Sequence, residues 1–174
     1  MSILSVFKQR LSVRQYTGEA IPPELLEQVL KAGLTSASGR ARRPWEFIVI
    51  RDPDMLAKMA KCRAGGAQML EGANAAIVVI ADPNKTDVWV EDASIAMANM
   101  HLMADSLGIG SCWIQGRLRE AGDGRSTETY LRELLSYPDS YRLLAILSLG
   151  MPQSHAPAYE DSDLPMEKIH YEKF

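Results

Sequence analysis

Apolar residues recur with the spacing of an α-helix in several separate parts of the chain. The clearest repeat begins at Pro22 and Pro23 and continues to about residue 35, which predicts an amphipathic helix. Similar patterns predict a short helix that opens at Pro53 and a helix over residues 127–135. A further short helix is predicted around residues 67–70, after the Gly65-Gly66 break.

Runs of aliphatic and β-branched residues predict four strands, at residues 45–50, 75–81, 111–114 and 143–149. The run at 75–81 contains no polar residue, which is typical of a strand that is buried on both faces inside a sheet. The pattern therefore indicates four strands with helices between them along the chain.

The longest predicted helix, residues 87–107, is apolar around most of its circumference. Such a helix must be covered on nearly every side, by its own sheet and, in a chain this small, by a partner subunit. Replacing Met97 or Met100 by Glu is accordingly expected either to split a dimer or to unfold the chain. His101 is expected to be a hydrogen-bonded core residue, whereas Asp92 and Asp105 are expected at a solvated face or a helix end.

The composition changes after Gly150, where prolines and acidic residues surround a few scattered apolar side chains. We therefore expect one domain over residues 1–174, divided into a core (1–150) and a C-terminal arm (151–174). Fully extended, the arm could reach about 80 Å and cross a second subunit. A frayed acidic tail is the alternative interpretation. His155 and His170, within the arm, are expected to be solvated or interfacial.

Composition and charge exclude several classes of protein. The 174 residues are 47% hydrophobic and carry a net charge of -3, which is typical of a globular protein and disfavours nucleic-acid binding. The two cysteines and three histidines lack the spacing of metal ligands, so no metal site is predicted. The thiols are predicted to be buried and inert, and the expected compartment is a reducing cytoplasm. No apolar run approaches the roughly 20 residues of a membrane span, so we expect a protein that is neither exported nor membrane-bound.

Few segments have the pattern of a known chemical site. The sequence lacks the catalytic and nucleotide-binding motifs GxSxG, GxxxxGK[ST] and HExxH. The glycines at 108 and 110 lie where a predicted helix leads into a strand, whereas a dinucleotide-binding fingerprint lies where a strand leads into a helix. Arg10, Ser12 and Arg14 alternate, so an extended backbone would point all three the same way, as suits a phosphate. The basic loop 40–43 is either a solvated cluster or a site for an anionic, aromatic ligand.

Taken in order, the motifs of this chain resemble those of the nitroreductase family over essentially its whole length. The resemblance implies an α+β fold, with a four-stranded, mainly antiparallel sheet flanked by helices. It also implies a dimeric enzyme that binds flavin mononucleotide (FMN) at the subunit interface and exchanges its C-terminal arm. The matching motifs are Arg10-x-Ser12-x-Arg14-x-Tyr16, Ser36-Ala-Ser-Gly39 followed by Pro44-Trp45-Glu-Phe47, Asp92-Ala-Ser-Ile-Ala-Met-Ala-Asn99, Leu107-Gly-Ile-Gly-Ser-Cys-Trp-Ile-Gln-Gly116, and Leu149-Gly-Met-Pro152.

The same resemblance assigns roles to individual residues. The arginines and serine of the first motif would hold the FMN phosphate, ribityl chain and pyrimidine edge, and residues 36–38 would run along the flavin. Residues 115 and 116 would present backbone groups near flavin N5, which carries the chemistry, so that no catalytic side chain is implied. The implied cofactor-binding residues are Arg10, Ser12, Arg14, Ser36, Ala37, Ser38, Arg43, Gln115 and Gly116.

The chain also departs from the family pattern. Many relatives carry an asparagine and a glutamine where this chain has Ala41 and Arg43. One pyrimidine-side hydrogen bond is therefore expected to be missing, with Arg43 supplying charge instead. Residues 156–161 contain no basic residue that could bind the phosphate, so FMN affinity is expected to depend more heavily on Arg10 and Arg14.

The implied function is hydride transfer from NADH or NADPH, through flavin N5, to a planar, electron-poor acceptor such as a nitroaromatic or quinone, in a ping-pong reaction. A flavin-binding protein that senses or stores FMN without turnover is the alternative from another class. A different flavin reaction of the family, such as dehalogenation, is a third possibility. The sequence assigns neither the physiological acceptor nor the preference between NADH and NADPH.

Overall fold

A four-stranded antiparallel sheet lies at the centre of the protein. The computed structural model describes residues 2–174, and the strands follow one another in the order β1-β2-β4-β3, with each neighbouring pair antiparallel. The predicted α+β fold class is confirmed. The strands are β1 (Trp45–Ile50), β2 (Ala75–Ala81), β3 (Gly110–Gln115) and β4 (Arg142–Gly150).

Five α-helices surround this sheet, and α5 has the predicted bounds. The short helix predicted around residues 67–70 is a 3-10 helix over Gln68–Gly72. None of the helices found within residues 2–174 is long and apolar enough to cross a membrane. The helices are α1 (Ile3–Gln9), α2 (Pro23–Leu34), α3 (Pro53–Met59), α4 (Trp89–Ser106) and α5 (Thr127–Leu135).

Strand β2 separates two apolar layers, because its side chains alternate between the two faces of the sheet. Its odd-numbered residues pack in the layer that contains Val29 of α2 and Met97 of α4. Its even-numbered residues pack in the layer that contains Leu56 of α3 and Leu131 of α5. All seven residues of β2 are buried, as the unbroken apolar run predicts.

Helix α4 is buried mainly within its own chain. Met97 and Met100 are completely buried in the layer between α4 and the sheet, so a glutamate at either position should unfold the chain rather than split a dimer. Coverage by one chain is nevertheless incomplete, since Ile95 stays 43% exposed. The chain itself therefore covers α4 on nearly every side, except along the strip of the helix that contains Ile95.

The tail after β4 packs first against its own chain and then extends away. The backbone N–H of Tyr159 donates to the carbonyl of Lys8 at 3.0 Å, and the Lys8 ammonium lies 3.0 Å from Asp161. Beyond this point Met166 is 60% exposed and Tyr171 is 82% exposed. The first half of the tail is thus docked rather than frayed, and the second half presents apolar side chains on the surface.

Candidate functional site

The segment after α1 runs alongside the edge strand β3. Ser12 and Ser111 form a parallel bridge, and the Val13 N–H donates to the Ser111 carbonyl at 2.9 Å. Ser12 and Arg14 line a cavity of about 290 Å³ together with residues from the start of the tail, including Ser154. The structure therefore brings two of the three predicted phosphate-binding residues to one cavity.

Arg10 is oriented by a buried histidine. Its guanidinium lies 3.2 Å from His101 Nε2, while His101 Nδ1 lies 2.5 Å from Ser111 Oγ. Because a guanidinium can only donate, Nε2 accepts and Nδ1 carries the proton that is donated to the hydroxyl. Burial, reinforced by the charge of Arg10, lowers the pKa of His101 to about 4. A neutral imidazole thus fixes Arg10 and leaves its other N–H groups for an anion, and His101 is the hydrogen-bonded core residue expected.

The depressed pKa of His101 makes stability depend on pH in a defined window. Between its ordinary pKa of 6.5 and its folded pKa of about 4, the unfolded chain binds more protons at this position than the folded chain. The free energy of unfolding should therefore fall as the pH falls through this window, by up to about 3 kcal/mol from this residue. Urea titrations of the wild-type protein and of His101→Gln measure the effect.

His101→Gln is the matched variant, because an amide oxygen can still accept from Arg10 but does not titrate. We expect its stability loss from pH 6.5 to pH 4 to be smaller than that of the wild-type protein, the remainder being due to carboxylates. Identical losses in the two proteins would show that His101 is not held neutral.

The far end of β3 holds Gln115 and Gly116. The Gln115 side chain is engaged on both sides, because it accepts from the Trp113 indole at 3.0 Å and donates to the Arg117 carbonyl at 3.0 Å. These two hydrogen bonds hold the Gln115 side chain against its own chain. A Cβ at position 116 would lie 2.6 Å from Leu143 Cδ2, so this position requires glycine.

The Gly116 N–H points towards the Leu144 carbonyl at 3.4 Å, a long and weak contact. Four residues of extended strand separate Ser111, beside Ser12, from Gln115, which corresponds to about 13 Å. The two sets of predicted flavin contacts therefore lie at opposite ends of one strand.

The loop after α2 is fixed to α4 by two hydrogen bonds. Ser36 is buried, and its hydroxyl donates to the Ala32 carbonyl and accepts from Asn99 Nδ2, both at 2.9 Å. The Gly39 N–H donates to Asp92 Oδ1 at 2.8 Å. The hydroxyl of Ser36 is thus used within the chain, while Ala37 is exposed.

Three residues of this loop adopt left-handed backbone conformations. The φ angles are 52° at Arg40, 54° at Ala41 and 46° at Arg43, each costing about 1–2 kcal/mol for a residue with a Cβ. The Arg43 N–H donates to Ser38 Oγ at 2.9 Å, which helps to hold this shape, and the Arg43 side chain is exposed. Strain of this kind persists only where the surroundings enforce it, and it is commonest at functional sites.

Two acidic residues expected in solvent are instead buried. Asp92 is 3% exposed and Asp105 is 7% exposed. Asp92 accepts from the loop at Gly39, and Asp105 Oδ1 lies 2.9 Å from His155 Nε2 in the tail. The solvated-face alternative is wrong for both carboxylates, because each is compensated by a partner that is distant in sequence, whereas Asp92 does lie in the first turn of α4, as the helix-end alternative predicts. His155 is exposed, as expected, and the hydrogen bond to Asp105 raises its pKa.

Helix α4 therefore anchors the predicted site segments from two sides. Asp92 and Asn99 lie seven residues apart and share one side, while His101 and Asp105 lie four residues apart and share the other, because successive residues turn by about 100°. The anchoring role of these four residues was not predicted from the sequence. The feature that could have indicated it is a polar side chain within a helix that is otherwise apolar on nearly every side.

One chain does not bring all the predicted cofactor contacts into a single cavity. The loop that starts at Ser36 docks on one side of α4, and the segment that contains Arg10 contacts the other side. A helix with its side chains is about 10 Å across, so these two groups are separated by at least that width.

The side chains of residues 2–174 favour neither a metal site nor a reactive thiol. Across residues 2–174, no three His, Cys, Asp or Glu side chains cluster closely enough to hold a metal ion. Cys62 and Cys112 are both buried and free, as predicted. Burial raises the pKa of Cys62 to about 12 and also raises that of Cys112, which disfavours reactive thiolates.

Comparison with known proteins gives consistent similarities over almost the whole chain. The sequence model of the Nitroreductase family matches residues 7–65 and 55–151. A relative from Archaeoglobus fulgidus, provisionally named NADH dehydrogenase/NAD(P)H nitroreductase, is 40% identical over 98% of each chain.

Solved structures agree with this result. An FMN-dependent nitroreductase from Clostridium difficile matches with a TM-score of 0.95 at 42% identity, over 98% of this chain and 99% of that chain. A provisionally named nitroreductase from Desulfovibrio desulfuricans, solved in complex with FMN, matches with a TM-score of 0.80 at 25% identity, over 100% of this chain and 98% of that chain.

Proposed function

Because the chain belongs to the nitroreductase family, we propose that it is an FMN-dependent oxidoreductase that takes its reducing equivalents from NADH or NADPH. The observation that carries this proposal is the cationic group beside β3. There Arg10, oriented by neutral His101, and Arg14 flank Ser12. Two guanidiniums and a hydroxyl are a donor set that fits a phosphate monoester.

Arg10, Ser12 and Arg14 would hold the phosphate, the ribityl chain and the pyrimidine edge of FMN, with Arg14 at the ring, and the backbone of Gln115 and Gly116 would also face the ring. When bound, FMN supplies a redox centre that accepts a hydride from the nicotinamide and passes two electrons to a second substrate. A guanidinium held near the ring, as proposed for Arg14, favours a negative charge that develops there. Solvent supplies the protons, so no acid–base side chain is required.

We propose further that the active site forms between two chains. The loop 36–43 and the segment 10–14 lie on opposite sides of α4, so the loop of one chain would reach the flavin held by its partner. An apolar surface on α1 supports this arrangement, since Ile3 is 78% exposed and Phe7 is 52% exposed. The exposed apolar residues of the tail, such as Tyr171, would pack on the partner as an exchanged arm.

The proposed acceptor is a planar, electron-poor molecule such as a nitroaromatic or a quinone. A flat acceptor can stack against the ring only after the nicotinamide has left, because both need the same face. The two substrates would therefore use the site in turn.

Initial rates measured against NADPH at several fixed quinone concentrations test this order. Alternating use of one site gives parallel lines in a double-reciprocal plot, the pattern of a ping-pong reaction. Lines that converge would mean that both substrates are bound together, which would contradict the shared face.

A further inference from the structure

A concave surface lies between the loop after Ser38 and the segment that leads into α4. It encloses about 570 Å³ and is lined by Gly39, Arg40 and Arg42 on one side and by residues 83–88 on the other. Its volume is within the range of roughly 300–1,000 Å³ that is common for small-molecule sites. We call this surface the cationic groove.

The charge of the cationic groove is mainly positive. Arg40, Arg42 and Lys85 contribute three cations, and Asp87 contributes one carboxylate. Within residues 2–174, none of these three cations has a carboxylate at ion-pair distance. Cations that converge on a concave surface without an anionic partner attract an anionic ligand.

The groove is also preformed. The Arg42 guanidinium donates to the Lys85 carbonyl, which joins the two sides. The loop that carries Arg40 and Arg42 is held by the hydrogen bond from the Gly39 N–H to Asp92, and its backbone is left-handed at Arg40 and Ala41. The Arg42 guanidinium is therefore held before binding and loses little conformational freedom when a ligand arrives.

A second groove adjoins the first, because Pro83 lines both. This second groove is lined by Gly116, one of the proposed flavin contacts, and by Trp89 and Arg117. The Arg117 guanidinium lies over the Trp89 ring, 5.8 Å from its centre. The cationic groove is therefore next to a surface that leads to the proposed flavin contacts, and an extended dinucleotide could occupy both.

We propose that the cationic groove binds the phosphate monoester that distinguishes NADPH from NADH, so that the enzyme prefers NADPH. The proposal rests on the proposed function and adds the identity of the coenzyme. Arginine is a common partner of this 2′-phosphate, because its planar guanidinium can donate two parallel hydrogen bonds to phosphate oxygens. The phosphate monoester carries up to two negative charges, which the three cations can match.

Calorimetric titration with NADP⁺ and with NAD⁺ tests the proposal without turnover. The wild-type protein should bind NADP⁺ more tightly than NAD⁺. The double variant Arg40→Ala/Arg42→Ala should lose about 10- to 100-fold in affinity for NADP⁺, as expected for the loss of charge-assisted hydrogen bonds, and little for NAD⁺. The control Lys58→Ala/Lys61→Ala removes the same charge from the α3 side and should change neither affinity.

A second variant, Arg40→Lys/Arg42→Lys, keeps the charge and should retain part of the preference, and melting temperatures check that all variants fold. Equal wild-type affinities, or a preference that survives the double alanine substitution, would overturn the proposal. So would a variant that loses activity only towards carboxylate-bearing nitroaromatics, because the groove would then be an acceptor site. Since NADP⁺ binding requires no flavin reduction, failure of the groove and failure of the proposed reaction give different results.

Discussion

Replacing Arg10 by alanine should weaken FMN binding by about 10- to 150-fold, because a charge-assisted hydrogen bond contributes about 1.5–3 kcal/mol. Arg10 is already oriented by His101 Nε2 at 3.2 Å, so little conformational entropy is lost when it binds a phosphate. Residues 156–161 contain no basic side chain that could compensate. Titration of the flavin-free variant with FMN, followed by quenching of flavin fluorescence, measures the loss.

Two further variants give this experiment its controls. Arg10→Lys keeps the charge but not the forked donor geometry, and it should recover only part of the affinity. Lys61→Ala removes a positive charge on the far side of the sheet and should leave FMN affinity unchanged. If Arg10→Ala binds FMN as tightly as the wild-type protein, Arg10 is not part of the site.

Replacing Phe7 by glutamate should convert a dimer into monomers and release FMN with it. Phe7 lines an apolar groove of about 340 Å³ together with Leu102 and Met103 of α4. A carboxylate buried there against a partner would weaken the dimer by roughly 2–4 kcal/mol, or about 30- to 1,000-fold in its dissociation constant. Sedimentation analysis at several concentrations, with flavin absorbance followed in parallel, records both effects.

The position of Phe7 separates loss of the dimer from loss of the fold. Phe7 is 52% exposed on one chain, so its replacement should leave the subunit folded, whereas Met97→Glu should unfold it. Lys58→Glu, at an exposed position of α3 on the opposite face of the sheet from α4, is the control and should remain dimeric. A chain that ends at Glu160 lacks the part of the tail that is proposed to cross to the partner. Its dimer should therefore also be weaker than that of the full chain, but by less than the dimer of Phe7→Glu. A Phe7→Glu protein that stays dimeric and yellow would contradict the interfacial site.

The regular elements could be predicted because their signals are local. The unbroken apolar run of β2 predicts a central strand, and the structure places it between β1 and β4. Helix α5 was predicted with its observed bounds because its apolar residues recur at helical spacing. The short helix at Gln68–Gly72 could be predicted, but not that it is a 3-10 helix, since periodicity over so few residues does not separate the two forms.

The anchoring of the site could not be predicted, because it depends on contacts between distant residues. Asp92 and Asp105 have the sequence environment of surface carboxylates, and only the fold reveals Gly39 and His155 beside them. A buried charge needs a compensating partner, but sequence spacing does not indicate which partner it has. The motif residues beside β3 were easier to recognise, since alternation in Arg10, Ser12 and Arg14 is itself a local pattern.

The left-handed loop is a related case. A glycine or asparagine would have signalled such a conformation, but Arg40, Ala41 and Arg43 are residue types that avoid it. The loop is held instead by hydrogen bonds from Gly39 and Arg43 to the side chains of Asp92 and Ser38. Backbone strain that is enforced by tertiary contacts has no counterpart in local sequence preference.

One anaerobic experiment tests directly whether this chain transfers electrons from a nicotinamide coenzyme by means of bound FMN. NADPH is added in the absence of oxygen to the purified, flavin-loaded protein while the visible absorbance is followed. We expect the yellow colour to bleach as NADPH is consumed, and to return when a quinone is added under the same conditions. Colour that persists in excess NADPH and in excess NADH would identify a protein that binds flavin without turnover and would contradict the proposed reaction.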